Sequence, residues 1–241
     1  MNTTGRHDDT GTPDRSGSLA GRSVLVAGAT GGLGSAIAAD LAGRGAVLTL
    51  VGRDRQRLTA LAVPGHKVAL DLRDPQACEA AVAAAYDSAG RLDVVVNAVG
   101  VVAFGAVAEL SSDIMEELFM TNTFVPIMLA RAALGSISDG GVIVNISGVI
   151  AEQGLAGMAA YGASKAAVRS FDEALAREAR RRKIRVIDAR PPHTETGLAS
   201  RPIAGQAPKM PVGLDPAHVA AIICDAIAGD AVDLASGAFA P

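Results

Sequence analysis

The sequence predicts an α/β fold: a doubly wound parallel sheet, Rossmann-like, in a single domain. From Arg22 onward, short runs rich in Val, Ile and Leu alternate with longer Ala- and Leu-rich segments. The short runs are apolar without strict alternation, as strands buried on both faces are. At 241 residues the chain is long enough to bury one substantial core. Strands that alternate with helices predict βαβ units, with right-handed crossovers and helices on both sides of the sheet.

The predicted elements follow one another in regular order. The strands are SVLVA from Ser23, AVLTLV from Ala46, KVALD from Lys67, DVVVN from Asp93, GVIVNIS from Gly141 and IRVIDA from Ile184. Helices are predicted near 32–43, 54–62, 74–88, 112–134, 159–181 and 215–228. The pair Asp74-Pro75 is a helix start, because aspartate caps a helix and proline fits its first position. The closing segment AVDLASGAFAP is interpreted as containing a last strand.

Charge and cysteine usage exclude several classes of function. With 22 basic and 25 acidic residues the formal net charge is −3, which provides no basic surface for nucleic acid or a membrane. No apolar run approaches the roughly 20 residues that span a bilayer. Cys78 and Cys224 lie in apolar or Ala-rich stretches, which suits buried free thiols and a cytoplasmic protein. Two cysteines and four scattered histidines offer no metal-ligand spacing.

Two segments are predicted to lack regular structure. Residues 1–18 are polar, punctuated by Gly and Pro, and without an apolar core, so we expect a disordered tail, not a signal peptide, before a domain at 19–241. The segment 191–215 is rich in proline and follows a predicted strand. Because open α/β sheets bind ligands at the carboxyl ends of their strands, this segment is a candidate substrate loop.

A glycine-rich turn, AGATGGLGSAIA, joins the first strand to the first helix. In such a turn Gly28 permits the tight bend, Gly32 lets the backbone approach a pyrophosphate, and Gly34 allows close packing of helix and strand. The helix N-terminus then faces the anion. Glycines also serve ordinary turns, but the strand–turn–helix context favours nucleotide binding.

These features resemble the short-chain dehydrogenase/reductase family, over nearly the whole chain from about Arg22. The resemblance rests on the GxxxGxG spacing, Asp71 after the third strand, NAVG at 97–100, Asn122, and the YxxxK pair Tyr161/Lys165. It implies a nicotinamide cofactor, an oxidoreductase activity and often a homodimer or homotetramer. The cofactor contacts that we expect are Gly28, Thr30, Gly32, Leu33, Gly34, Arg53, Asp71, Leu72, Asn97, Tyr161, Lys165 and Thr196.

The end of the second strand, LTLVGRDRQRL, favours NADP over NAD. A ribose 2′-hydroxyl is usually held there by a carboxylate, whereas a 2′-phosphate requires a cation. Gly52 stands where the NAD-preferring members of the family carry an acid, and Arg53 follows it, able to bind a phosphate with two hydrogen bonds. The alternative is a solvated arginine at a helix start. Asp54 is interpreted as the N-cap of that helix.

Tyr161 and Lys165 are four residues apart and therefore share one face of a helix. A free phenol, with a pKa near 10, is a poor base, but a nearby ammonium favours the phenolate. The resemblance makes Tyr161 the general acid and base and Lys165 the group that tunes it. It also gives Asn122 a part in a water-linked proton path.

The sequence leaves open which residue occupies the third catalytic position, beside Tyr161 and Lys165. The family's serine lies thirteen residues before the tyrosine, and that count leads to Gly148, with Ser147 one place earlier. Neighbouring side chains of a strand point to opposite faces, so Ser147 fills the role only if the strand end adjusts by one residue. Otherwise Tyr161 alone, a backbone N–H or His193 would polarise the substrate oxygen. Loss of one such donor typically costs about 10²–10³ in rate.

Two hypotheses follow. The first is an NADP(H)-dependent oxidoreductase that interconverts a carbonyl and an alcohol on a small apolar substrate. The second is a catalytically impaired cofactor-binding protein, a sensor or assembly partner, suggested by Gly148 and by Pro192 in place of the family's usual glycine. A different chemistry on the same scaffold, such as dehydration or epimerisation, stays open.

Overall fold

The computed structural model describes residues 19–240, and the predicted tail at 1–18 lies outside them. Within that range seven strands form one parallel sheet. They are β1 (Ser23–Ala27), β2 (Val47–Gly52), β3 (His66–Ala69), β4 (Leu92–Asn97), β5 (Ile137–Ile146), β6 (Arg185–Ala189) and β7 (Asp233–Leu234). The sheet order is β3-β2-β1-β4-β5-β6-β7, so the crossovers reverse direction between β1 and β4. The predicted doubly wound parallel sheet is confirmed.

The helices cover the sheet as the alternation predicted. They are α1 (Gly32–Gly43), α2 (Arg55–Ala60), α3 (Pro75–Ala89), α4 (Ser112–Phe119), α5 (Val125–Leu134), α6 (Ala159–Glu178) and α7 (Pro216–Ala228). At the start of α3 the Asp74 carboxylate accepts a hydrogen bond from the Gln76 N–H at 2.9 Å, with Pro75 in the first position. The capping residues therefore act as predicted.

The single helix predicted over 112–134 is interrupted by a wide π-turn at Met120–Phe124. Pro126 lies at the start of α5. Proline has no N–H to donate to the carbonyl four residues earlier, and its ring crowds that carbonyl. The π-turn widens the backbone where the regular hydrogen bonds of the α-helix cannot form. Such π-turns are often found at functional sites. Asn122 lies in the middle of it.

Alternate residues of the central strands face two separate apolar layers. Val24 and Val26 of β1 pack with α1 and α7, whereas Leu25 packs with α3, α5 and α6. Cys78 and Cys224 are buried free thiols, one in each layer, as predicted. With both faces covered, the carboxyl edge of the sheet is left to form a site.

No helix within residues 19–240 is long and apolar enough to cross a membrane. The same residues contain no group of three or more side chains that could together hold a metal ion.

Candidate active site

A cleft of about 720 Å³ opens along the carboxyl ends of the strands. It brings the glycine turn together with the YxxxK pair. The predicted site residues that line it are Gly28, Thr30, Gly32, Leu33, Arg53, Asp71, Leu72, Ser147, Tyr161, Lys165 and Thr196. Gly34, Asn97 and Asn122 stand outside this lining and contact its wall from behind.

The glycine turn is shaped so that only glycine fits its key positions. Gly28 has φ +77°, and a Cβ on it would lie 2.7 Å from the Ala98 carbonyl oxygen. A Cβ on Gly34 would lie 2.2 Å from the Gly28 carbonyl oxygen, and helix and strand therefore touch here. The sterics thus agree with the roles assigned from the sequence.

The N-terminus of α1 faces the cleft in a form suited to an anion. Gly31 caps the helix without a side-chain hydrogen bond, and the first turn carries no acidic residue. The backbone of Thr196 packs against Gly32, where a Cβ would lie 2.4 Å from the Thr196 carbonyl oxygen. A negatively charged group is stabilised at such a terminus by free N–H groups and by the helix dipole.

Three arginines gather at the far end of the cleft, beside the end of β2. A Cβ on Gly52 would lie 3.2 Å from the Thr30 side chain, so a larger residue there would require Thr30 to shift. Arg53 lines the cleft and is exposed. Arg57 also lines it and donates to the Thr30 carbonyl at 2.6 Å. Asp54 caps α2 through the N–H groups of Gln56 and Arg57, as predicted.

Asp71 is engaged by the third of these arginines, Arg73. The guanidinium donates to both carboxylate oxygens, at 3.0 and 2.5 Å, and also to Glu117 at 3.0 Å. The hydrogen bond from Arg73 is the main cause that holds the pKa of Asp71 below its usual value. Sequence reasoning did not single out Arg57 or Arg73. The spacing of Arg53 and Arg57, four residues apart across the first turn of α2, was the signal for Arg57.

Asn97 supports the loop that follows β4. Its Oδ1 accepts from the Val99 N–H at 3.2 Å, and its Nδ2 donates to Asn145 Oδ1 at 3.2 Å. Asn145 in turn donates to Asp172 Oδ1 at 2.6 Å. The loop after β4 is therefore linked through Asn97 and Asn145 to the buried carboxyl of Asp172.

Asn122 fixes the same loop further along. Its side chain satisfies both backbone groups of Val101, accepting from the N–H and donating to the carbonyl, each at 2.9 Å. Its Nδ2 also donates to Ser164 Oγ at 3.0 Å, and Ser164 donates to the Tyr161 carbonyl at 2.7 Å. Ser164 was not predicted. Asn122 thus acts here by holding the loop against α6 at Ser164, the residue before Lys165.

Burial moves the pKa values of Tyr161 and Lys165 in opposite directions. The Tyr161 side chain lines the cleft, and burial raises its pKa to about 12. Lys165 is 6% exposed, and burial lowers its pKa to about 8, against the charge of Asp188. The Lys165 ammonium donates to the Ile146 carbonyl at 2.7 Å. Burial thus moves the phenol pKa in the direction opposite to the lowering expected from Lys165.

Ser147 borders the cleft, but its hydroxyl is engaged in the interior. The residue is fully buried, and its hydroxyl donates to the Asp188 carboxylate. Gly148 has φ +79° and ψ 164°, a conformation in which side chains are strained, although the nearest atom to a Cβ there would be the Pro191 carbonyl oxygen at 3.8 Å. The β5 end therefore presents backbone, without a serine hydroxyl, to the cleft.

The loop after β6 covers the cleft and is pinned at both ends. The Val149 N–H donates to the Pro191 carbonyl at 3.0 Å, and the Leu214 N–H donates to the His193 carbonyl at 2.8 Å. His193 borders the cleft, with its Nε2 3.4 Å from the Glu195 carboxylate. The segment predicted to be irregular thus has defined contacts.

Comparison with known proteins agrees with this architecture. Residues 22–206 match the model of the short chain dehydrogenase family. An uncharacterized oxidoreductase of Methylorubrum extorquens is 34% identical over 205 residues, covering 81% of this chain and 82% of the relative. The 3-oxoacyl-(acyl-carrier-protein) reductase of Vibrio cholerae is 31% identical over 186 residues, covering 75% and 76%.

Among solved structures, a short chain dehydrogenase of Burkholderia cenocepacia in complex with NADP is 26% identical. It superposes with a TM-score of 0.80 over 92% of this chain and 100% of that one. Together with the matched model and the curated relatives, the glycine turn and the YxxxK helix lead to one conclusion: this chain belongs to the short-chain dehydrogenase family of oxidoreductases.

Proposed function

We propose that this protein is an NADP(H)-dependent oxidoreductase that interconverts a carbonyl and an alcohol on a small apolar substrate. The observation that carries the proposal is that one cleft contains both the glycine turn and the Tyr161/Lys165 pair. A cofactor on the turn and a proton donor at Tyr161 would therefore face the same substrate.

The residues fit a dinucleotide. Gly28, Gly32 and Gly34 allow a tightly packed turn in which any Cβ would collide with neighbouring backbone, and the uncapped start of α1 suits a pyrophosphate. The other expected contacts, among them Thr30, Leu33, Leu72 and Thr196, line the same cleft. When bound, the nicotinamide supplies or accepts the hydride.

NADP is favoured over NAD by the end of β2. An acid at position 52 would crowd Thr30, whereas Arg53 and Arg57 offer two cations at the cleft. Guanidinium groups bind phosphate with paired hydrogen bonds. The NADP-bound structure from Burkholderia supports the same choice.

Tyr161 is the proposed general acid for carbonyl reduction and the base for the reverse reaction. With its pKa raised to about 12, the phenol holds its proton at neutral pH and can donate it to a carbonyl oxygen. Lys165, held on the Ile146 carbonyl, would stabilise the phenolate that remains. Asn122 keeps the facing loop in place.

The cleft also has an apolar lining that suits an apolar substrate. Its apolar side chains include Val102, Phe104, Ile150, Leu155, Met158, Leu198 and Ile203. The loop 191–215 contributes Leu198, Ile203 and Met210 to it, which supports the proposed role as a substrate loop. The Vibrio relative is a reductase of 3-oxoacyl groups, so a ketone next to an apolar chain is the first substrate class to test.

The same proposal includes a cytoplasmic homodimer or homotetramer. Met120 and Phe124, in the π-turn between α4 and α5, expose 36% and 50% of their surface, and a partner subunit would cover them. The two free buried thiols suit a reducing compartment. Sedimentation of the purified chain measures the assembly.

The direct test is NADPH oxidation with a panel of apolar ketones and aldehydes, in the wild type and in Tyr161→Phe. General acid catalysis contributes about 10²- to 10⁴-fold, so Tyr161→Phe should lose that much in kcat while it binds NADPH normally. Tyr86→Phe, on the exposed side of α3, is the matched control and should keep full activity. Binding of NADPH without turnover of any carbonyl would contradict the enzyme proposal.

The second candidate, a cofactor-binding protein with little catalysis, is favoured by one observation. The only serine near the expected position, Ser147, gives its hydroxyl to Asp188 instead of to the cleft. A substrate oxygen would then rely on Tyr161 and on backbone N–H groups.

The variants Ser147→Ala and Gly148→Ser discriminate between the two candidate functions, the carbonyl reductase and the cofactor-binding protein. If Ser147 were the substrate donor, Ser147→Ala would cost about 10²–10³ in rate. We expect less than about 10-fold, because the hydroxyl faces the interior. Gly148→Ser should raise turnover if only the hydroxyl is missing, after a backbone change away from φ +79°. A cofactor-binding protein without catalysis would show no carbonyl turnover as the wild type, as Ser147→Ala or as Gly148→Ser.

A further inference from the structure

A buried carboxylate, Asp188, lies beneath the Tyr161 end of the cleft. It is on β6, paired with Asn145 of β5 in the sheet, and is 5% exposed. Its Oδ1 accepts the Ser147 hydroxyl, and its Oδ2 accepts from Arg190 Nη1 at 2.5 Å. Two donors from two elements therefore fix this carboxylate in one orientation.

Lys165 approaches the same place from α6. Its ammonium donates to the Ile146 carbonyl, next to Ser147 in the chain, at 2.7 Å. Within residues 19–240 Lys165 makes no direct ion pair, and Asp188 is the acidic group whose charge acts on it through space. An ammonium desolvated to 6% exposure tends to lose its proton unless a negative charge lies nearby.

We propose that Asp188 is a positioning residue whose fixed carboxylate supplies the countercharge that keeps Lys165 an ammonium beside Tyr161. The inference rests on the proposed function, in which that ammonium stabilises the tyrosine phenolate. It also gives Ser147 a role: the hydroxyl holds Asp188 in place and does not contact the substrate.

The other acidic groups near Lys165 are unsuited to this role. Burial raises the pKa of Asp172 on α6 to about 8, so that this group is largely neutral at pH 7. Tyr161, on the same helix, also holds its proton. From the loop after β5, Glu152 bonds Arg190 and Ser236.

Other acidic groups around the cleft already have partners of their own. Arg190 is shared by Asp188, Glu152 and Asp233, so three carboxylates surround one guanidinium. On the other side, His193 lies against Glu195 in the loop after β6, and Glu117 of α4 bonds Arg73 and Thr121. Three carboxylates against one guanidinium leave this cluster with a formal net negative charge, and Asp188 is the member whose charge acts on Lys165.

The chain is well suited to a direct test, because it contains only four lysines: Lys67, Lys165, Lys183 and Lys209. The full chain, labelled with ¹³Cε-lysine and without cofactor, is titrated by NMR, and Lys165→Met assigns the Lys165 resonance. The variants are Asp188→Asn and, as the matched control, Asp172→Asn. Each replaces a buried carboxyl by an amide.

We expect the pKa of Lys165 to fall by about 1–2 units in Asp188→Asn, as removal of a nearby opposite charge does. In Asp172→Asn it should move by less than about half a unit, because Asp188, and not Asp172, is the acidic group whose charge acts on Lys165. An unchanged Lys165 pKa in a folded Asp188→Asn chain, or an equal fall in both variants, would overturn the inference.

Asp188→Ser is the second variant if the amide does not fold. It removes the same charge but places a hydroxyl, which can accept a hydrogen bond, against Arg190. If neither variant folds, the wild-type Asp188 ¹³Cγ resonance decides. It should show a step at the pKa of Lys165 if the two charges interact, and its absence contradicts the inference.

Kinetics then connect the inference to catalysis. In the reduction direction, kcat/KM should be high below the pKa of Lys165 and fall above it. In Asp188→Asn this fall should move to lower pH by the same amount as the Lys165 pKa, about 1–2 pH units. The NMR titration needs no turnover. A wild type without carbonyl reductase activity but with the expected NMR shift would therefore refute the proposed function and leave the electrostatic role of Asp188 standing.

Discussion

The glycine turn at one end of the cleft is built from backbone and exposed arginines, whereas the Tyr161 end rests on buried side chains. At the turn, a methyl group on Gly34 would lie 2.2 Å from the Gly28 carbonyl oxygen, and Arg53 is open to solvent. Beneath the Tyr161 end, Asp172 and Asp188 are 3% and 5% exposed. The first end should therefore respond to changes of shape, and the second to changes of charge and pH.

Gly34→Ala gives the largest effect expected at the turn. The added methyl group forces the Gly28 carbonyl to move, and overpacking of this kind typically costs about 1–3 kcal/mol in the free energy of unfolding. The displaced turn should also abolish measurable NADPH binding. Urea unfolding and fluorescence titration with NADPH measure the two effects.

Gly43→Ala, on the same helix, is the matched control. Nothing lies within 4 Å of its Cβ, and its φ is not positive. Alanine there should leave NADPH binding unchanged and stabilise the chain by up to about 1 kcal/mol, since glycine loses more conformational entropy on folding. Equal changes in NADPH binding in Gly34→Ala and Gly43→Ala would show that NADPH binding does not depend on the close packing at the turn.

Arg53→Gln should produce a smaller change, confined to the choice of cofactor. Loss of a charged hydrogen-bonding partner for the 2′-phosphate should weaken NADPH binding about 10- to 100-fold and leave NADH binding unchanged. Arg55→Gln, on the first turn of the same helix α2 but outside the cleft lining, is the control and should change neither affinity. Isothermal titration with both cofactors measures the ratio, and a parallel loss for NADH would contradict the 2′-phosphate assignment.

The glycine-turn end of the cleft was more predictable from the sequence than the Tyr161 end. Its strands and turn depend on local patterns: β-branched runs, the spacing of Gly28, Gly32 and Gly34, and the Asp54 cap. Local geometry decides these features, so one sequence is enough to predict them.

The Tyr161 end was less predictable, because its chemistry depends on contacts between distant residues. The Ser147–Asp188 hydrogen bond joins positions 41 residues apart, and the Asn122–Ser164 bond joins positions 42 apart. Desolvation, which decides the pKa of Tyr161, follows from the packed fold and has no pattern in the sequence. The π-turn at 120–124 shows the same limit, since Pro126 lies inside a pattern that otherwise predicts one helix.

At the Tyr161 end, the effect of Asp172→Asn on the free energy of unfolding should depend on pH. Burial raises the pKa of Asp172 to about 8 from an ordinary value of 3.8, and its Oδ2 is the one buried side-chain oxygen or nitrogen among the described residues without a hydrogen-bond partner. The folded chain therefore keeps a proton that the unfolded chain releases. This contribution to stability is present below pH 3.8 and is lost as the pH rises toward 8.

Asparagine keeps an acceptor for the Asn145 amide and removes the titration. The stability of Asp172→Asn relative to wild type should therefore increase from pH 5 to pH 8, reaching about 1–3 kcal/mol in its favour.

Asp93→Asn is the comparison variant, and its stability relative to wild type should change with pH in the opposite direction. Burial alone would raise the pKa of Asp93, but hydrogen bonds from Arg91 and the Ser23 N–H outweigh it and lower the pKa. Its amide variant should be least stable relative to wild type at pH 8 and recover in acid. Urea unfolding at both pH values measures these differences, and parallel losses in the two variants would show that burial at the sheet does not govern the charge state of Asp172.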